Sequence, residues 1–161
     1  MFSHVMVGSN DLPRSKRFYD ALFGKEAKTD DKGRLSYGRR GAVLMVSNPI
    51  DGEPATHANG GTIGFTFDSP EEVDAWHAAG CAAGGMSCED PPGYRENAFG
   101  KLYLAYLRDP DGNKLCGLYR PSNDARNGQR NEVPWRDAGR LSPRFVQHRH
   151  RYGVQCVRAG P

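Results

Sequence analysis

The chain has 161 residues, 37% of them hydrophobic and 25% charged, with a mean hydropathy of -0.71. Seven Phe, seven Tyr and two Trp exclude a wholly disordered chain. No apolar run approaches the ~18 residues of a membrane-spanning helix. The net charge of +3 is uneven. Residues 1–120 carry 14 basic and 16 acidic residues, whereas 121–161 carry eight Arg, no Lys and three acids. The opening MFSHVMVGSNDLPRSKRFYD turns polar too early for a secretory signal. The four cysteines (Cys81, Cys88, Cys116, Cys156) form no CxxC pair. Both features point to the cytoplasm and to free thiols.

Residues 2–8 are an apolar strand candidate, followed by a turn at Ser9-Asn10-Asp11. Pro13 suits the first turn of a helix, and Phe18, Tyr19, Leu22 and Phe23 recur at helical spacing up to a stop at Gly24. Short strands are predicted over 25–29, 34–39 and 42–47. Residues 61–67, GTIGFTF, form the next strand. Ser69 with Pro70 and Glu72 is a capping box, Val73, Trp76 and Ala79 share one helical face, and Gly80 is the expected end. The stretch 89–100 reads as a loop. KLYLAYL (101–107), an Asp109-Pro110-Asp111-Gly112 turn and NKLCGLY (113–119) close the body.

The order strand, helix, strands occurs twice. His4-Val5-Met6-Val7 aligns with Thr62-Ile63-Gly64-Phe65, Tyr19 with Trp76, and Met45 with Cys116. Each half, 1–49 and 61–121, is a βαβββ unit too small to bury its sheet alone. The expected fold is therefore α+β, with paired βαβββ repeats forming a cupped mixed sheet over 1–121. Residues 122–161 show neither helical nor strand periodicity and are expected to be a flexible, Arg-rich extension. No nucleic-acid motif, GxGxxG after a strand, GxxxxGK[ST], HExxH or GxSxG is present, so nucleic acid and membrane are not expected partners.

HVMVGSNDLPRSKRFYDALFG and YLAYLRDPDGNKLCGLY together resemble the first strand-helix and the last hairpin of the vicinal oxygen chelate superfamily. That superfamily includes glyoxalase I, extradiol dioxygenases, fosfomycin-resistance enzymes and bleomycin-resistance proteins, and the match is nearest its unassigned glyoxalase-like members. The resemblance implies a small-molecule cavity in the sheet, a homodimer, and a divalent metal held by His, Gln or Glu from equivalent strands. By position, His4 falls on the first-strand ligand site and Thr62 on its counterpart. Met45 and Cys116 stand where Glu is expected. Of these only His4 is a usual ligand for such a cation.

The resemblance supports two functions: a metal-assisted glyoxalase-like lyase or isomerase, and a metal-free small-molecule-binding protein of the bleomycin-resistance kind. The candidate ligand-binding residues are His4, Thr62, Arg95, Phe99, Tyr103 and Cys116. Arg95 would clamp an anion, with Phe99 as an apolar wall. Tyr103 and Tyr106 lie on opposite faces of one strand because their separation is odd, and Tyr103 is the one assigned to the cavity.

Overall fold

The computed structural model describes residues 2–98 and 100–121, all within one compact unit, Met1–Ser122. Phe99 and the Arg-rich extension 122–161 lie outside the described residues. The first half comprises β1 (His4–Gly8), α1 (Leu12–Phe23), β2 (Lys28–Thr29), β3 (Leu35–Arg39) and β4 (Ala42–Ser47). The second comprises β5 (Ile63–Phe67), α2 (Pro70–Ala82), β6 (Met86–Ser87), β7 (Gly93–Asn97), β8 (Gly100–Arg108) and β9 (Lys114–Tyr119).

Local chemistry sets the helix ends. The Asp11 carboxylate accepts from the Arg14 N–H at 2.9 Å, satisfying one of the free donors at the start of α1. Gly24 ends α1 in the left-handed region, at φ 61. In α2 the Ser69 hydroxyl accepts from the Glu72 N–H, and the Glu72 carboxylate accepts in return from the Asp68 N–H. Among the described residues no helix is long and apolar enough to cross a membrane.

Each half folds its strands into one mixed sheet, ordered β1-β4-β3-β2 and β5-β9-β8-β6, with β7 also paired to β8. β1 runs parallel to β4 with Met6 opposite Met45, and β5 runs parallel to β9 with Gly64 opposite Cys116. The repeat alignment drawn from the sequence is thus also the register of the two sheets. Two expectations change. The stretch 89–100 holds a strand, β7, paired residue for residue with β8 from Gly93↔Leu104 to Asn97↔Gly100. Helix α2 also runs past Gly80 to Ala82. A Cβ at Gly80 would lie 2.6 Å from Leu107 and 2.8 Å from Leu22, so the glycine serves close packing of α1 and β8 on α2, not helix termination.

Val7, Leu35, Tyr37, Leu44 and Val46 of the first sheet and Phe67, Ala105, Leu107 and Leu115 of the second share one core with Phe18, Tyr19, Leu22, Val73 and Trp76 of the helices. Burying each large side chain contributes about 1.5–3 kcal/mol relative to exposure. The core takes one face of each sheet, and among the described residues no helix covers the opposite faces.

The halves are also tied by polar contacts around the 109–113 turn. The Tyr19 hydroxyl donates to the buried Asp109 carboxylate at 2.7 Å. Asp111 accepts from the Asn10 N–H, from Arg14 at 2.7 Å and from the Ser15 hydroxyl at 3.0 Å. Burial pushes the Asp111 carboxyl up, but the Asn10 N–H, the Ser9 and Ser15 hydroxyls and the Arg14 charge outweigh it and hold it below the usual carboxylate value. A carboxyl lowered by folding contributes stability in full above its unfolded value of about 3.9 and loses it as pH falls through the lowered folded value. Asp111→Asn is expected to cost about 1–3 kcal/mol at neutral pH in urea unfolding. The difference from wild type should shrink on titration below pH ~4. A cost that stays constant into acid would show that the charge of Asp111 is not what links the halves.

Candidate functional site

Strand alternation decides which side chains share the helix-free faces. In the second sheet Leu115, Gly117 and Tyr119 face the helices; a Cβ at Gly117 would meet the Trp76 ring at 2.8 Å. Lys114, Cys116 and Leu118 therefore point the other way. Their cross-strand partners Arg108, Tyr106 and Leu104 do the same, as do Leu102 and its partner Arg95. Leu102, Leu104 and Cys116 are buried there in a small second core with Tyr106 and Leu118.

Two cations close over this cluster. The Arg95 guanidinium lies 5.3 Å and the Lys114 ammonium 4.9 Å from the centre of the Tyr106 ring. Such contacts attract through the negative face of the ring. Arg95 is steadied by the Asp90 carbonyl at 2.9 Å and the Pro91 carbonyl at 3.3 Å, and its buried Nη1 has no partner among the described residues. Lys114 pairs with Glu89, which is held in the left-handed region at φ 60. A non-glycine residue at that φ is strained backbone. Beside the cluster the sheet is open: a Cβ built on Gly64, in register with Cys116, would meet nothing within 4 Å.

Burial pushes the Tyr106 hydroxyl up to about 12; Cys116 and Glu89 add to this and Arg95 opposes it. Burial likewise raises the Cys116 thiol, with the hydrogen bond to Tyr106 acting against it. Both groups are therefore protonated at neutral pH. The face offers hydrogen-bond donors and cations over an apolar floor; Glu89 is engaged by Lys114, and the exposed Asp90 carboxylate lies 3.9 Å from the Arg95 Nε.

The residues singled out from the sequence do not all meet. Arg95 and Cys116 lie on this face. Tyr103 does not: it points toward α2, donates from its hydroxyl to Asp74 at 2.8 Å and packs edge-on to Tyr94. Tyr106 is the tyrosine on the Arg95 and Cys116 face. The two faces of β8 are equally apolar, so alternation separates the tyrosines without saying which face is which. His4 sits exposed at the start of β1 and contacts Ser3 at 3.0 Å. Thr62 lines a cleft with Lys114 and residues 5–8 of β1, which His4 does not line.

These positions do not fit a divalent cation of the Mn²⁺, Ni²⁺ or Fe²⁺ type. The register-equivalent strand pairs are Met6 with Met45 and Gly64 with Cys116. Thioethers and a protonated thiol are poor ligands for hard cations. Among the described residues no group of three or more His, Cys, Asp or Glu side chains comes together to hold an ion.

The raised thiol has a measurable consequence, because only the thiolate is nucleophilic. Native protein treated with iodoacetamide at pH 8 is expected to be modified at Cys116 at least tenfold more slowly than at the half-buried Cys81 and Cys88. Equal rates on peptide mapping would contradict the buried, protonated thiol.

Residues 1–116 match the family model described as the Glyoxalase/Bleomycin resistance protein/Dioxygenase superfamily. A solved glyoxalase/bleomycin resistance protein from Albidiferax ferrireducens T118 is 56% identical, with a TM-score of 0.72 over 74% of this chain and 99% of that one. A glyoxalase-related enzyme from Fulvimarina pelagi is 22% identical, with a TM-score of 0.61 over 75% of this chain and 88% of that one. A lactoylglutathione lyase from Agrobacterium tumefaciens is 23% identical, with a TM-score of 0.54 over 74% of this chain and 92% of that one. These last two share the fold. With the repeated βαβββ register, the matched family model and this level of identity, the chain belongs to the Glyoxalase/Bleomycin resistance protein/Dioxygenase superfamily.

Proposed function

We propose that this chain is a glyoxalase-like protein that binds a small, oxygen-rich acid on the open face of its second sheet. The ligand lies over Gly64 and Cys116 against Leu104 and Leu118, and Arg95 and Lys114 meet its acidic group. The observation that carries this reading is the convergence of two cations on Tyr106 beside open space over Gly64. A protonated tyrosine and a protonated thiol favour holding a ligand over abstracting a proton from it. The unsuitable donor set at Met45, Thr62 and Cys116 favours metal-free binding, as in a sequestering protein, over a metal-assisted lyase.

The proposal includes a homodimer. The helix-free faces expose Met6 at 48% and Met86 at 68%, and a second copy would cover them. It also places the protein in the cytoplasm, where the free Cys81, Cys88 and Cys116 stay reduced.

Calorimetric titration with 2-hydroxy acids such as lactate and tartrate is expected to show saturable binding. Arg95→Gln should weaken it at least tenfold, since hydrogen bonds to charged groups contribute about 1.5–3 kcal/mol. Unchanged affinity in that variant would overturn the placement. Native mass spectrometry of protein purified without chelators reads the other two points at once. The expected species is a metal-free dimer. A stoichiometric divalent ion lost in His4→Ala would instead establish the metal-assisted reading, and a monomer at micromolar concentration would remove the dimer.

A further inference from the structure

A recessed space between the margins of the two sheets is lined by Gly64 but by none of Arg95, Tyr106 and Cys116. Its walls are Val5, Phe23, Leu44, Ile63 and Phe65. Its volume is about 210 Å³. That is below the ~300–1,000 Å³ of drug-sized ligand pockets but comparable with apolar cavities that accept a single benzene ring.

The rim is of one charge. Lys25, Arg39 and Arg40 line the cavity, and no Asp or Glu does. Among the described residues Lys25 donates to a neutral acceptor on the strand, the Gly38 carbonyl. Arg39 is held in place from two sides: its guanidinium lies 4.5 Å over the Phe67 ring and its Nη2 donates to the Thr66 carbonyl at 3.2 Å. Its buried Nε has no acceptor among the described residues. An unpaired donor on a charged, partly desolvated group is costly unless a ligand supplies the acceptor.

Backbone strain places the third cation. Arg40 and Gly41 form the two-residue turn between β3 and β4, with φ 48 and 82. Both central positions of such a turn favour Asn or Gly. A long cationic side chain is held there nonetheless, ion-paired to Asp68, which does not line the cavity. Strain of this kind concentrates where a ligand is clamped.

We propose that this cavity binds a small apolar monocarboxylate, its ring or short chain seated against Phe23, Leu44 and Phe65 and its carboxylate on Arg39, flanked by Lys25 and Arg40. Gly64 lines this cavity too, so the site borders the one over Gly64 and Cys116 but uses other cations, and it prefers apolar acids where that one takes hydroxy acids.

The test is calorimetric titration of the full-length protein with phenylacetate and with its neutral counterpart phenylacetamide. Phenylacetate should bind saturably and the amide at least tenfold more weakly. Arg39→Gln should weaken phenylacetate at least tenfold. Ala42→Trp changes an exposed residue at the mouth and leaves Arg39 in place, so it should block binding while circular dichroism stays native. Arg95→Gln should leave phenylacetate binding unchanged. The proposal is overturned if phenylacetate does not bind, if the amide binds equally well, if Ala42→Trp has no effect, or if Arg95→Gln abolishes the binding. Should Arg39→Gln fail to fold, the Ala42→Trp and amide arms still decide.

Discussion

Asp109 is a buried carboxylate in a turn of the second half, and its hydrogen-bond shell reaches into the first. It accepts from the Tyr19 hydroxyl on α1 and from the backbone and side-chain amides of Asn113. The Asn113 side chain in turn donates to the Gly8 carbonyl at the end of β1. Two residues on, Asp111 gathers Asn10, Arg14 and Ser15. A buried carboxylate without such partners would be strongly destabilising. The relative position of the two βαβββ units is therefore specified by polar geometry as well as by the apolar core that Phe18, Leu22, Gly80 and Leu107 form between them.

Fixing the units in this way disposes of one face of each sheet and frees the other. Both helices and the bulky apolar side chains of alternate strand positions go to the shared core. What is left on the opposite face of the second sheet is a smaller cluster, capped by Arg95 and Lys114 instead of by a helix. Long cationic side chains can cover apolar surface and still present charge to a ligand. The same alternation that buries Leu115 and Leu107 delivers Cys116 and Tyr106 to the site.

Much of this was legible in the residues. Pro13 with Gly24, Ser69 with Glu72, and the Asp109–Gly112 turn each mark a boundary through local chemistry, and the structure keeps them. The alignment of Met6 with Gly64 and Met45 with Cys116 made the halves equivalent, and the structure adds that these residues are paired in register within each half. Other features depend on tertiary contact. Gly80 reads as a stop because glycine often ends a helix, yet its purpose is to admit Leu22 and Leu107. Residues 89–100 are rich in Pro, Gly and charge, so β7 shows no alternation and is made a strand by pairing with β8. Tyr106 could not be preferred over Tyr103 because β8 is apolar on both sides, and only the position of α2 distinguishes them. The cavity rimmed by Lys25, Arg39 and Arg40 draws on three separate stretches of chain and has no local signature.

The polar link between the halves also bears on how the chain reaches this state. Tyr19 and Asp109 are 90 residues apart, Arg14 and Asp111 are 97 apart, and Gly8 and Asn113 are 105 apart. Loop closure over such separations costs entropy before the contacts it permits can repay it, and topologies of this kind fold slowly. During synthesis the first unit is complete in sequence at Ser47, well before the turn that fixes it has left the ribosome. Throughout that interval Phe18 and Leu22 lack the neighbours that the second half supplies at Gly85 and Gly80. Until then the surface of α1 that receives Gly80 and Leu107 stays uncovered.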